Sequence, residues 1–114
     1  MEIHPLLASQ YHAALEMLKQ SVTRCPSEMW NDPQDRNKFW HVAYHALFYT
    51  SLYLQPTLED FKPFPGHRQD YENLGPRPDS AQRTPDTGEP YTQGEILEFM
   101  DLCWKQVDSI LPAL

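Results

Sequence analysis

Basic residues are scarce in this chain. Its 114 residues include 9 lysines and arginines against 16 aspartates and glutamates, so the formal net charge at pH 7 is −7. Nucleic acids and anionic membrane surfaces are bound through clusters of cationic side chains, and the sequence contains no such cluster. We therefore expect neither nucleic acid nor a membrane as a partner.

Cysteines and long apolar runs are also few. The chain has two cysteines, Cys25 and Cys103, whereas a small secreted domain that is stabilised by disulfides usually has more. Glu2 and His4 interrupt the pattern of a secretory signal. The longest apolar run, 39–54, is shorter than the roughly 20 residues of a membrane-spanning helix. We expect a cytoplasmic protein with free thiols, in which residues 1–114 form a single domain.

Several catalytic motifs are missing from the sequence. It has no glycine-rich phosphate loop, no G-x-S-x-G, no C-x-x-C and no H-E-x-x-H. The catalytic residues are therefore unknown at this point, and whether the chain is an enzyme stays open.

Three segments do show helical periodicity. They are predicted at 3–25, 36–55 and 92–111. Apolar residues recur in them at spacings of three and four, and a proline follows each segment and stops the helix. Thr92 and Glu95 have the spacing of a capping box at the start of the last segment. The pattern predicts an all-α fold with three long helices and no sheet.

The second predicted helix is apolar on nearly every side. Within 39–54 only two histidines, a threonine and a serine interrupt the apolar residues. Such a helix must be covered nearly all round, which two neighbouring helices cannot do. The pattern therefore predicts that another chain covers it, most simply in a homodimer.

Residues 56–91 are rich in proline and glycine. No helical or strand period survives there, so we predict one long loop within the domain. Apolar anchors are spaced along its first half: Phe61, Phe64, Tyr71 and Leu74. The second half has none, and we expect it to be mobile.

Three histidines are candidate metal ligands. His41 and His45 are four residues apart, which places both imidazoles on one face of a helix. His67 lies in the loop, within PGHRQDY. Helical histidines at this spacing are also common as hydrogen-bonded core residues, and loop histidines as solvated side chains. Spacing alone leaves both interpretations open.

The string DRNKFWHVAYHALFYTSLYL, residues 35–54, resembles the second helix of the DinB-like superfamily. These are the damage-inducible, YfiT-related four-helix bundles. Residues 14–30 are similar to the first helix and its exit turn, and residues 88–111 are similar to the start and body of the third. The resemblance implies an up-down bundle of antiparallel helices, here with the proline-rich loop between the second and the third.

The resemblance also implies a divalent metal ion, Ni²⁺ or Zn²⁺. One ligand of the family lies on the second helix and two lie on the fourth. Matched to this sequence, the ligand is His45, with His41 as a helper one turn earlier and His67 as a further candidate. We expect the chain to be short at its C-terminus, without the fourth helix. The metal would then be weakly bound or absent.

Two functional classes follow. The first is a DinB-like, divalent-metal-binding relative of hydrolases or thiol-dependent transferases, with an incomplete metal site. The alternative is a non-catalytic helical module that dimerises or binds a partner. Histidines brought together across a dimer would favour the first class. A dry apolar groove without metal would favour the second class.

Overall fold

The computed structural model describes residues 3–75 and 88–113. Its elements are, in chain order, α1 (Ile3–Arg24), α2 (Ser27–Trp30), α3 (Phe39–Leu54), a 3₁₀ turn (Leu58–Asp60), α4 (Gln93–Ile110) and a second 3₁₀ turn (Leu111–Ala113). None of the described residues lies in a strand. The predicted all-α class is confirmed.

The three long helices lie where the sequence predicted them, within a few residues. α3 begins at Phe39 rather than at residue 36. The capping box is present at the start of α4: the Glu95 amide donates to Thr92 Oγ1 at 3.1 Å, and the Thr92 amide donates to Glu95 Oε1 at 2.9 Å. Two amides that helix geometry leaves without partners are thereby satisfied.

Residues 27–36 lie between the first two predicted helices. Their first four residues form the one-turn helix α2. Pro26 is the N-cap of α2 and has the extended backbone that an N-cap residue adopts, with φ −61° and ψ 147°. The indole N–H of Trp30 donates to the Tyr91 carbonyl at 2.8 Å, so a contact distant in sequence holds this short helix in place.

The core is organised around α4. This helix packs along both α1 and α3, while α1 and α3 contact each other little. α1 contributes Leu15 and Val22, which are both buried. The largest buried side chains of the other helices are Trp40, Tyr44, Leu47, Ile96 and Phe99. The centre of the molecule is therefore rich in aromatic rings.

Only one half of α3 is buried. Its opposite half carries an apolar face that we call the α3 stripe, formed by Val42, Ala46, Tyr49 and Tyr53. Val42 is 45% exposed and Tyr53 is 73% exposed. Although α3 is apolar, neither it nor any other helix among the described residues has the length and hydropathy to cross a bilayer.

The predicted loop is described only in part. Residues 76–87, which include most of the half expected to be mobile, lie outside the described residues. Residues 61–75, called the strap below, run across α3 and the start of α4. Tyr71 is buried, and Phe61 and Phe64 pack partly buried against the core, as predicted for these three anchors. The candidate functional site lies where the strap contacts α3.

Candidate functional site

The two helical histidines bind the backbone of the strap. Nε2 of His41 lies 2.9 Å from the Tyr71 carbonyl, and Nδ1 of His45 lies 2.7 Å from the Glu72 carbonyl. A carbonyl only accepts, so each ring must carry its proton on the nitrogen that faces the strap. The i, i+4 spacing thus presents two N–H donors to two successive carbonyls.

A backbone reversal precedes those carbonyls. Asp70 has a φ of 71°, in the left-handed region that aspartate tolerates better than most residues. The next two residues, Tyr71 and Glu72, are those that the histidines bind. The strap is therefore shaped locally by Asp70 and attached to α3 by His41 and His45.

His67 joins the same cluster from within the strap. Its Nδ1 is hydrogen-bonded to the Tyr44 hydroxyl, and its Nε2 lies 3.0 Å from Glu72 Oε2. Burial raises the pKa of Tyr44, so this hydroxyl stays protonated and can donate to Nδ1. The Nε2 nitrogen lies at ion-pair distance from the carboxylate, but Glu72 Oε2 accepts no hydrogen bond from the described residues.

Glu72 is the residue of this cluster that sequence reasoning missed. Its carbonyl binds His45 and its carboxylate faces His67. The two histidines are distant from each other along the chain, and no periodicity connects a loop glutamate with a helix 27 residues earlier. No sequence signal would have identified Glu72.

The environment keeps the His41 ring neutral. Its side chain is buried, with only 6% exposed, and its ring stacks on Trp40 at a centroid distance of 4.9 Å. Burial lowers the pKa of His41, and the neighbouring His45 lowers it further, whereas the Tyr71 and Asn73 carbonyls oppose the shift. A neutral imidazole that donates one hydrogen bond is the stable form here.

A second hydrogen-bond network fastens the strap to the start of α4. The Tyr91 hydroxyl donates to the Gly66 carbonyl at 2.7 Å and accepts from the Arg68 amide at 2.9 Å. The Arg68 guanidinium lies 4.5 Å from the centre of the Tyr91 ring. Nη1 of Arg68 also donates to the Glu89 carbonyl at 2.8 Å. The strap is thus attached at two places: Tyr91 binds residues 66–68, and His41 and His45 bind residues 71–72.

The described residues do not complete a metal site. Within residues 3–75 and 88–113 no three His, Cys, Asp or Glu side chains form a group that could hold a metal ion. Of the three predicted ligands, His45 and His67 contact Glu72, and His41 binds the neighbouring Tyr71 carbonyl. His41 and His45 each keep one ring nitrogen without a hydrogen bond from a described residue. Of these two rings, only that of His45 is partly exposed.

The two thiols lie away from this cluster. Cys103 is fully buried on α4, with its Sγ 3.6 Å from the Leu47 carbonyl. Burial raises the pKa of Cys103 to about 12. Cys25 is partly buried, and neither thiol forms a disulfide. A protonated, buried thiol such as Cys103 is a packing group rather than a nucleophile.

Comparisons with models of known protein families, with curated proteins and with solved structures found no match to this chain. The comparisons therefore show no family for this chain.

Proposed function

We propose that this chain is a DinB-like helical protein in which His45 is a ligand of a divalent metal ion, Ni²⁺ or Zn²⁺. One observation supports the proposal. Nδ1 of His45 donates to the Glu72 carbonyl at 2.7 Å, which leaves the lone pair on Nε2. In metal sites generally, a carbonyl on the second ring nitrogen fixes the tautomer and orients the ligand.

The surroundings distinguish His45 from the other two candidates. An ion must reach the ligand, and the His45 ring is partly exposed beside the α3 stripe, 4.8 Å from the Tyr49 ring centre. The ring of His41 is buried, Nδ1 of His67 is hydrogen-bonded to the Tyr44 hydroxyl, and Nε2 of His67 lies 3.0 Å from Glu72 Oε2. We therefore assign His41 and His67 supporting roles, in which they hold the strap that orients His45.

The remaining ligands would come from a second chain or from groups outside the described residues. One imidazole holds a divalent ion weakly, and structural and catalytic zinc sites use three or four protein ligands. We expect the purified chain to be metal-free or only weakly loaded. Hydrolysis and thiol-dependent transfer are the reaction classes that the resemblance implies, and no residue of this chain is assigned to a step of either.

The metal proposal is tested by titrating the ¹⁵N-labelled chain with NiCl₂. Paramagnetic Ni²⁺ should broaden the resonances of His45 and its neighbours first. The effect should disappear in His45→Ala, weaken in His41→Ala and change less in His67→Ala. Elemental analysis after exhaustive dialysis should find no stoichiometric metal.

His12→Ala is the matched control. His12 stacks on Trp104 at 4.2 Å and its Nε2 lies 2.9 Å from Asp108 Oδ1, so it belongs to the contact between α1 and α4. This variant should keep the Ni²⁺ effect at His45. Equal loss in His12→Ala would contradict the proposal, as would a stoichiometric metal that survives dialysis of His45→Ala.

A second candidate function is favoured by a different observation. α3 carries no lysine, arginine, aspartate or glutamate, and its exposed half is the apolar α3 stripe. α1 also exposes apolar residues, with Ile3 at 59% and Met17 at 71%. Each copy of the chain carries a net charge of −7, so the electrostatic repulsion between two copies is smallest where they contact each other through an uncharged face. This candidate is a non-catalytic module that dimerises or binds a partner.

Association is tested by light scattering at micromolar concentration. We expect a dimer or larger assembly, because solvent-exposed apolar faces of this kind are stabilised by burial. Tyr53→Glu places a charge in the α3 stripe and should shift the population to monomer. Ser109→Glu adds the same charge at an exposed position of α4 and should not. A parent chain that is monomeric and binds no hydrophobic dye would refute this candidate.

A further inference from the structure

A cavity of about 350 Å³ lies where the end of α1, α2 and the start of α4 meet. Trp30, Pro90 and Tyr91 form its apolar walls, and Cys25 lines it from the end of α1. The volume lies within the roughly 300–1,000 Å³ of small-molecule sites. None of the candidate metal ligands lines this cavity. It is therefore separate from the site around Glu72.

Hydrogen bonds hold the walls of the cavity in place. The Trp30 indole donates to the Tyr91 carbonyl at 2.8 Å. The Tyr91 hydroxyl donates to the Gly66 carbonyl at 2.7 Å. The Gln93 amide nitrogen donates to the carbonyls of Val22 and Thr23 at 2.8 and 3.1 Å, which ties the start of α4 to the end of α1. Walls fixed in this way lose little conformational freedom when a ligand binds.

The lining indicates the chemistry of the ligand. Among the described residues that line the cavity there is no Lys, Arg, His, Asp or Glu, so these residues offer no counter-charge to a charged ligand that loses its hydration. Trp30 is the partly exposed aromatic side chain of the lining, and its indole favours a flat ring through stacked or edge contacts. The Ser27 hydroxyl and the Gln93 amide oxygen take part in no hydrogen bond with the described residues. They remain available to a polar group on the ligand.

We propose that this cavity binds a neutral, flat aromatic molecule that carries a polar group at one end. The proposal is independent of the metal site and of the α3 stripe, because neither contributes a residue to the cavity.

The probe for the test is Prodan, a neutral naphthyl ketone whose emission shifts to the blue in apolar surroundings. With about 17 non-hydrogen atoms at a typical affinity per atom, its Kd is expected to be about 200 µM or tighter. Titration of the full chain should give a saturable blue shift with one site per chain. A signal that rises without saturation would overturn the proposal.

Two phenylalanine substitutions locate the binding site. Ser27 is exposed and lines the cavity, and its hydroxyl makes no hydrogen bond with the described residues. Ser27→Phe fills the cavity from this position and should weaken Prodan binding about tenfold or more. Ser109→Phe adds the same ring on α4 and should leave the Kd unchanged. Tyr53→Ser removes a large ring from the α3 stripe and should also have no effect. Unchanged binding in Ser27→Phe, or lost binding in Tyr53→Ser, would show that Prodan binds elsewhere.

Protection of Cys25 tests the proposal without changing the fold. Cys25 lines the cavity, whereas Cys103 is fully buried. Burial and the nearby Glu28 raise the pKa of Cys25, so alkylation by N-ethylmaleimide is best followed at mildly alkaline pH. Saturating Prodan should slow the labelling of Cys25 at least threefold in the unmodified chain. An unchanged rate would overturn the proposal.

Discussion

Replacing Tyr91 by phenylalanine isolates the contribution of a single hydroxyl group to the attachment of the strap. The hydroxyl donates to the Gly66 carbonyl at 2.7 Å and accepts from the Arg68 amide at 2.9 Å. The ring itself stacks on Tyr44 at 4.5 Å and is 1% exposed. Tyr91→Phe keeps the ring and removes both hydrogen bonds.

The expected cost follows from these two bonds. A typical intramolecular hydrogen bond contributes about 0.5–1.5 kcal/mol net, so two bonds contribute about 1–3 kcal/mol. Both bonds are only partly buried, and water can reach the Gly66 carbonyl and the Arg68 amide once the hydroxyl is gone. We therefore expect the lower part of the range, about 1–2 kcal/mol, and a fall in Tm of roughly 4–8 °C for a chain of this size.

Urea unfolding followed by tryptophan fluorescence measures the loss, and amide hydrogen exchange locates it. The Arg68 amide should lose protection in Tyr91→Phe. Tyr53→Phe is the control, because Tyr53 is 73% exposed and its hydroxyl makes no hydrogen bond with the described residues. Its effect should stay within about 0.5 kcal/mol. If the two variants unfold with the same free energy, the hydroxyl of Tyr91 does not hold the strap.

Two further predictions concern pH and helix capping. Burial lowers the pKa of His41 in the folded chain, so below about pH 6.5 the unfolded chain binds more protons than the folded one. The free energy of unfolding should therefore fall as the pH drops through that range, and His41 contributes at most about 1.4 kcal/mol per pH unit. The stability of His41→Gln should depend less on pH than that of the parent chain. Urea titrations at several pH values measure this, and an equal pH dependence of the two proteins would refute the lowered pKa of His41. Thr92→Ala removes the cap of α4 and should cost about 1 kcal/mol, whereas Thr57→Ala, in an exposed turn, should cost less. Equal costs in thermal unfolding would contradict the role of the capping box.

The spacing of the two histidines on α3 predicted the orientation of their rings but not the function of those rings. The i, i+4 spacing correctly predicted that His41 and His45 share a face of one helix. It could not tell a pair that binds metal from a pair that donates to two carbonyls, because both need the same orientation of the rings. The structure adds the carbonyls of Tyr71 and Glu72, and the metal assignment stays a proposal.

The sequence by itself determined the all-α class and the approximate positions of α1, α3 and α4. Those features depend on interactions within a few residues: periodic apolar side chains, prolines that end helices, and the capping box of Thr92 and Glu95. The pattern of α3 could not show which half is buried, because no charged residue marks its outer face.

Tertiary structure alone decided three things: which half of α3 packs on α4, the one-turn helix α2, and the meeting of Glu72 with His45 and His67. Trp30 reaches Tyr91 across 61 positions of sequence, and His45 reaches Glu72 across 27. Contacts over such separations depend on the path of the intervening chain, which in the strap follows no periodic pattern. Local propensities do not contain that information, so these contacts appear only when the helices and the strap are packed together.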